Sequence, residues 1–266
     1  MTAFLSRVAV VAAGLPIVLF SAYYGGWFLT ALTIIGALVA LHELYRMGRS
    51  LRPLVLAGYG AAVAALLGAE LGGPVWMLGG FMLTFPLAFL FAAVAETRQS
   101  ATVAMATTVL GAGWIVLGLG HLVLIRDLPI YGRLAIITLL VTVFAADTFA
   151  YLGGRLAGRH KMTPVMSPGK TWEGFVAGAV AGVLAAWIAQ YEEDLFTDSW
   201  QPFVFGGIIV LAAVIGDLFE SVVKRDLGAK DSGRVLLGHG GVLDRVDSLL
   251  FAAPAAYFAL LAFGQV

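Results

Sequence analysis

PFVFGGIIVLAAVIGDLFESVV, residues 202–223, runs straight into Lys224 and Arg225. A bilayer core is about 30 Å thick and an α-helix rises about 1.5 Å per residue, so a span needs roughly 20 mostly apolar residues. This run supplies them and carries no charge from Pro202 to Gly216. Asp217 and Glu220 fall near its polar end. An ionisable group at bilayer depth costs on the order of 2.5–3.5 kcal/mol, so such acids face protein or water.

Outward from this stretch, eight more apolar runs lie near 7–24, 27–46, 53–71, 74–95, 101–125, 133–152, 172–190 and 244–264. The whole chain of 266 residues is 61% hydrophobic and 12% charged, with mean hydropathy +0.94. A soluble domain runs near 45–50% apolar and about 25% charged, so a water-soluble protein is excluded. No cysteine is present and the formal net charge is zero, which removes disulfide scaffolds, thiolate zinc sites and nucleic acid as a partner. The expected fold is all-α: a polytopic integral membrane protein with about nine transmembrane helices. Residues 1–130 hold about five N-terminal spans. Residues 131–266 form a C-terminal catalytic transmembrane region with two long polar loops, 153–171 and 224–243. The first run reads as a retained helix, because no small-residue cleavage site precedes Gly25-Gly26.

Lys and Arg gather on the cytoplasmic side of membrane proteins. With nine spans, 14 of the 16 basic residues share one side, and only Arg126 and Arg133 take the other. The 191–200 connection carries Glu192, Glu193, Asp194 and Asp198 with no Lys or Arg. This places the N-terminus and both long loops in the cytoplasm and the C-terminus outside.

The candidate chemistry lies in and beside those loops. Asp147 sits in FAADTFAYLGGRLAGRHK and Asp217 in VIGDLFESVVKR, both toward cytoplasmic helix ends. On a helix Asp217, Ser221 and Lys224 share a face, with Glu220 beside them, and Asp244 shares one with Asp247. Gly240-Gly241 lets the backbone turn into the last span. Carboxylates, a Lys/Arg cluster and a glycine-led helix start suit Mg²⁺ with a polyphosphate, since magnesium takes few carboxylates and leaves positions for phosphate oxygens. The competing reading is a charged loop that merely satisfies topology.

In SPGKTWEGFVAGAVAG from Ser167, Thr171 can cap the next helix, Glu173 stands in its first turn, and Lys170 can reach a phosphate. A P-loop is rejected because Pro164 occupies its upstream glycine position. Gly174, Gly178 and Gly182 read as a helix-packing stripe. Glu43 in HELYR reads as an interface anchor with Arg46 and stands outside the site; His42 and His121 read as interfacial residues.

Ser221-Val222-Val223-Lys224-Arg225, Lys230-Asp231-Ser232-Gly233 and His239-Gly240-Gly241-Val242-Leu243-Asp244-Arg245-Val246-Asp247 resemble the signature of phosphatidate cytidylyltransferases, also called CDP-diacylglycerol synthases. Asp147-Thr148, Tyr151, Gly154-Arg155, His160-Lys161, Ser167-Pro168 and Lys170-Thr171-Trp172-Glu173-Gly174 are similar to that family too. The resemblance is strong over roughly 140–266. Gly169 stands where a second basic residue is common, and Leu237 where proline is.

The resemblance implies transfer of CMP from CTP to phosphatidic acid, giving CDP-diacylglycerol and pyrophosphate, with Mg²⁺ required, and a homodimer; one or two metal ions and a monovalent cation such as K⁺ stay open, and the expected place is a bacterial inner membrane with the active site facing the cytoplasm. The family's metal-binding aspartates fall on Asp217 and Asp244. Lys224, Asp247 and Asp147 join them as catalytic candidates. Ser221, Arg225, Lys230, Asp231, His239, Arg245, Lys170, Thr171 and Glu173 are substrate-binding candidates. The alternative class is an ion- or proton-coupled transporter using Asp147 and Asp217. A CDP-alcohol phosphotransferase is set aside because its spaced aspartate motif is absent.

Overall fold

The computed structural model describes residues 2–94, 100–191, 195–233 and 240–265, with side chains from residue 14 onward. Ten α-helices carry nearly all of the order: α1 (Thr2–Tyr24), α2 (Gly26–Met47), α3 (Val55–Met82), α4 (Thr84–Val94), α5 (Ala101–Gly111), α6 (Leu117–Arg126), α7 (Gly132–Ala157), α8 (Trp172–Ile188), α9 (Gln201–Asp226) and α10 (Leu243–Ala262). A short π-helical segment, Ala112–Val116, joins α5 to α6. The all-α expectation needs one correction. Two short strands, β1 (Lys161–Thr163) and β2 (Ser167–Thr171), pair antiparallel inside the loop expected at 153–171. That loop also starts later than expected, because α7 runs on to Ala157.

Six helical stretches among the described residues are long and apolar enough to cross a membrane: Gly26–Met47, Val55–Val94, Ala101–Arg126, Gly132–Ala157, Gln201–Asp226 and Leu243–Ala262. The chain is an integral membrane protein. Its surface agrees, with Trp76, Phe89 and Ile188 each more than half exposed. The difference from nine spans has identifiable causes. Val55–Val94 is one 40-residue stretch, but it folds back at Gly73, whose φ of 70° is followed by Pro74. A Cβ on Gly80 would collide with the Ala65 backbone, 15 positions earlier, a contact impossible in a straight helix. The helix α8, at 17 residues, is about 25 Å long, and the apolar part of α1 among the described side chains is Gly14–Tyr24.

The chain divides into two compact units. The first comprises Met1–Asp127 with Asp226–Val246 and the second Leu128–Arg225 with Asp247–Val266. In the first, Leu41, Leu44, Leu66, Ile115 and Ile125 are fully buried. The Tyr45 hydroxyl donates to the Thr108 carbonyl at 3.0 Å. At the end of α6, Arg126 ties down α1. Its Nε donates to the Ala22 carbonyl at 2.9 Å, and its Nη2 to those of Tyr23 at 2.9 Å and Tyr24 at 3.0 Å. These are carbonyls that a helix end leaves without an internal donor.

In the second unit, α7 and α8 are pressed together by the expected glycine stripe. A Cβ on Gly174 would lie 2.6 Å from the Ala150 carbonyl oxygen, and one on Gly178 2.6 Å from that of Ala146. Both obstacles are backbone, so they cannot swing aside. Gly178→Val is expected to destabilise the protein by about 2–3 kcal/mol through overpacking, read as a lowered melting temperature in detergent. Gly207→Val, where nothing lies within 4 Å, should melt like the wild type.

Candidate active site

Thr171 begins the second unit's site. Its extended backbone ends β2, and its hydroxyl accepts from the Gly174 N–H at 3.1 Å, capping α8 as expected. Glu173 reaches back instead of forward. Its carboxylate accepts from the Arg159 N–H at 3.1 Å and the His160 N–H at 3.2 Å, and His160 Nδ1 lies 2.6 Å from its Oε1. The chain entering the β hairpin is thereby fastened to the start of α8, and Trp172 N–H donates to the His160 carbonyl at 3.0 Å. On that braced hairpin Lys170 extends its Nζ to within 2.7 Å of Asp217 Oδ2.

Asp217 owes its neighbours to the residue before it. A Cβ at Gly216 would lie 2.5 Å from the Asp247 carbonyl oxygen, so glycine is what lets α9 and α10 approach there. Asp147, Asp217 and Asp247 come within electrostatic reach of one another, Lys170 offsets the charge, and Ser248 hydrogen-bonds Asp147. Asp247 is buried beside Glu220. Lys224 Nζ stands 2.5 Å from Glu220 Oε2, with the Lys224 side chain 14% and the Glu220 side chain 1% exposed. Lys224, a catalytic candidate, is thus engaged by a buried acid one helical turn away. Removing one partner of a buried pair strands the other's charge. Lys224→Met is expected to cost about 3 kcal/mol of stability, and the Glu220→Gln, Lys224→Met double variant should melt closer to wild type than the single one.

A cavity of about 470 Å³ opens beside this cluster, lined among others by Asp147, Tyr151, Arg155, Ser167, Lys170 and Asp217. Thr171 also lines it, while Gly169 at its rim has open space where a Cβ would go. The missing basic side chain at 169 is therefore not imposed by packing. Tyr151, Arg155 and Ser167, which carry part of the family resemblance, join Asp147 and Lys170 in this lining. Arg155 Nη1 donates to the Tyr151 hydroxyl at 3.1 Å, an i, i+4 pair near the end of α7. Ser221 and Arg225 do not line the cavity, and Arg225 is exposed.

The first unit holds a second polar cluster. Asp244 accepts from the Ser232 N–H at 3.0 Å and the Gly241 N–H at 2.8 Å. Glu43 belongs here, which corrects the interface-anchor expectation. It is 2% exposed and accepts from the Ser232 hydroxyl at 3.1 Å, the Val242 N–H at 3.0 Å and the Leu243 N–H at 2.9 Å. Lys230, Asp231 and Arg245 are exposed, and His239 and Leu237 lie outside the described residues.

The donors available are hard oxygens, the class that magnesium prefers. Among the described residues no three acidic or imidazole side chains are grouped as a ready metal site.

The profile of the cytidylyltransferase family matches residues 5–263. The chain belongs to the cytidylyltransferase family. Within it, a Helicobacter pylori protein named phosphatidate cytidylyltransferase is 45% identical over 150 residues, 56% of this chain and 55% of its own length. A Staphylococcus epidermidis protein of the same name is 44% identical over 119 residues, 45% of this chain and 46% of its own. The chain thus spans about half the length of these curated relatives. A Mycobacterium bovis protein, also so named, is 34% identical over 246 residues, covering 86% of this chain and 79% of its own. The cytidylyltransferase match takes in both polar clusters, including every acid singled out above.

Proposed function

We propose that this family member transfers CMP from CTP to phosphatidic acid, giving CDP-diacylglycerol and pyrophosphate. The observation that carries the reading is the family match over residues 5–263. The cavity is in keeping with it, because Lys170 and Asp217 stand together there, a cation and a carboxylate of the kinds that phosphate and magnesium chemistry uses.

A phosphate monoester has its second pKa near 6, so the lipid phosphate is already a nucleophile at neutral pH. No side-chain base has to create one. One of its oxygens forms the new bond to the α-phosphorus of CTP as the α–β bridging bond breaks, and the pyrophosphate leaves with that electron pair. Both reactants are anions, so the protein's work is alignment and charge neutralisation. Lys170 and Arg155 supply positive charge at the cavity, which Asp147 lines together with Asp217, and Asp247 is buried within electrostatic reach of both. The family resemblance assigns Asp217, in the second unit's cluster, and Asp244, in the first unit's, to Mg²⁺; bound at either carboxylate, the ion would neutralise phosphate oxygens and stabilise the leaving group. The Mg²⁺ requirement and a homodimer rest on the family resemblance, which leaves open one ion or two and a helper such as K⁺.

The test is incubation of the purified protein in detergent with labelled CTP, phosphatidic acid and Mg²⁺. A CDP-lipid is the expected product, and none from folded protein would refute the reading.

The finer topology is proposed on the same footing: nine spans, a cytoplasmic N-terminus and an outside C-terminus, in a bacterial inner membrane with the active site inward. Its support is the 14-to-2 partition of basic residues and the bacterial relatives. With no native cysteine, Lys230→Cys should react with an impermeant reagent only after permeabilisation, and Asp198→Cys should react in intact cells. The reverse pattern would overturn the orientation.

A further inference from the structure

Glu43 and Asp244 are joined through Ser232 and the first residues of α10. Asp244's carboxylate is held by two N–H groups, those of Ser232 and Gly241. Glu43 holds the same two stretches of chain from the other side, through the Ser232 hydroxyl and the N–H groups of Val242 and Leu243. Those two N–H groups open the helix whose second residue is Asp244, where an acid is favoured by the helix end. The fit leaves no slack: a Cβ on Gly233 would lie 2.5 Å from Glu43 Oε1, and one on Gly241 would collide with Ser232 Oγ and Glu43 Oε2. A buried carboxylate taking three donors, from a helix about 190–200 positions away in sequence, is more than topology requires.

We infer that Glu43 is a positioning residue for Asp244, fixing the two N–H groups that aim its carboxylate. The inference rests on the proposed magnesium role of Asp244, and it assigns to α2 a part in the site that the loop motifs do not contain. Gln at position 43 keeps the volume but offers one acceptor oxygen, turning an NH₂ toward donors. Asp keeps the charge and both oxygens on a shorter stem.

The experiment uses the full chain in detergent micelles and Mn²⁺, followed by paramagnetic resonance, as the magnesium probe. Glu43→Gln should weaken Mn²⁺ binding about tenfold or more and lower the melting temperature, since an NH₂ faces buried donors, and Glu43→Asp should recover part of the Mn²⁺ loss. In an Asp244→Asn background, Glu43→Gln should add nothing further, because its effect acts through Asp244. Ser232→Ala, which removes one of the three Glu43 contacts, should show the same pattern in smaller measure and carries the test if Glu43→Gln does not fold. Wild-type Mn²⁺ affinity in Glu43→Gln, additive losses in the double variant, or no Mn²⁺ uptake by the wild type would each overturn the inference. A wild type that binds Mn²⁺ but makes no CDP-lipid would refute the proposed reaction and leave the Glu43 comparison intact.

Discussion

Asp217→Asn is expected to lower kcat by about 10³-fold or more, which at 1.36 kcal/mol per decade is roughly 4 kcal/mol of transition-state stabilisation. Asn matches Asp in size, and Asp217 sits at the edge of a cavity with a side chain 36% exposed, so the helix around it has no reason to rearrange. What changes is charge. The substitution removes the carboxylate assigned to Mg²⁺ and leaves Lys170 facing a neutral amide. Initial rates of CDP-lipid formation beside a melting curve check it. Wild-type rates in folded Asp217→Asn protein would refute the assignment.

Lys170→Gln is expected to reduce kcat/KM by about 10²-fold, roughly 3 kcal/mol. The lysine is presented by a hairpin braced at both ends: Thr171 caps α8, and Glu173 grips the backbone at Arg159 and His160. Such bracing gives a cation a fixed place, which is what preorganised charge stabilisation needs. Arg at this position keeps the charge but changes its shape and reach, so Lys170→Arg should retain an intermediate activity. If Lys170 served only as the counter-ion of Asp217, Lys170→Gln would lower the melting temperature and leave turnover per folded molecule unchanged.

The parts of this protein that the sequence displays openly are those governed by local rules. Apolar length marks the helices, and the break at residues 72–73 is where the chain reverses at Gly73 and Pro74. The Gly174, Gly178 and Gly182 stripe packs against Ala146 and Ala150 as its spacing implies. Thr171 caps because a short hydroxyl before an apolar helix has few other uses. Residues whose roles depend on distant partners were harder to read. Glu43 gave one usable signal: it is flanked by the buried positions Ala40, Leu41, Leu44 and Tyr45, so an acid there had to find donors within the fold. The β hairpin was hidden because three- and five-residue strands are too short to show alternation. The Glu220–Lys224 pairing is itself local, at i, i+4 on one helix, and what the sequence leaves open is the burial of Glu220.

Arg126 also sets an order of events. The carbonyls that close α1 are met by a side chain 104 residues further along the chain. At a synthesis rate of about 5–20 residues per second, that donor emerges roughly 5–20 s after Ala22. During this interval the end of α1 must stay at the wet surface of the bilayer, because unsatisfied carbonyls are costly in hydrocarbon. The first helix is therefore inserted early and finished late, and a nascent chain halted before residue 126 would carry it with one end still open.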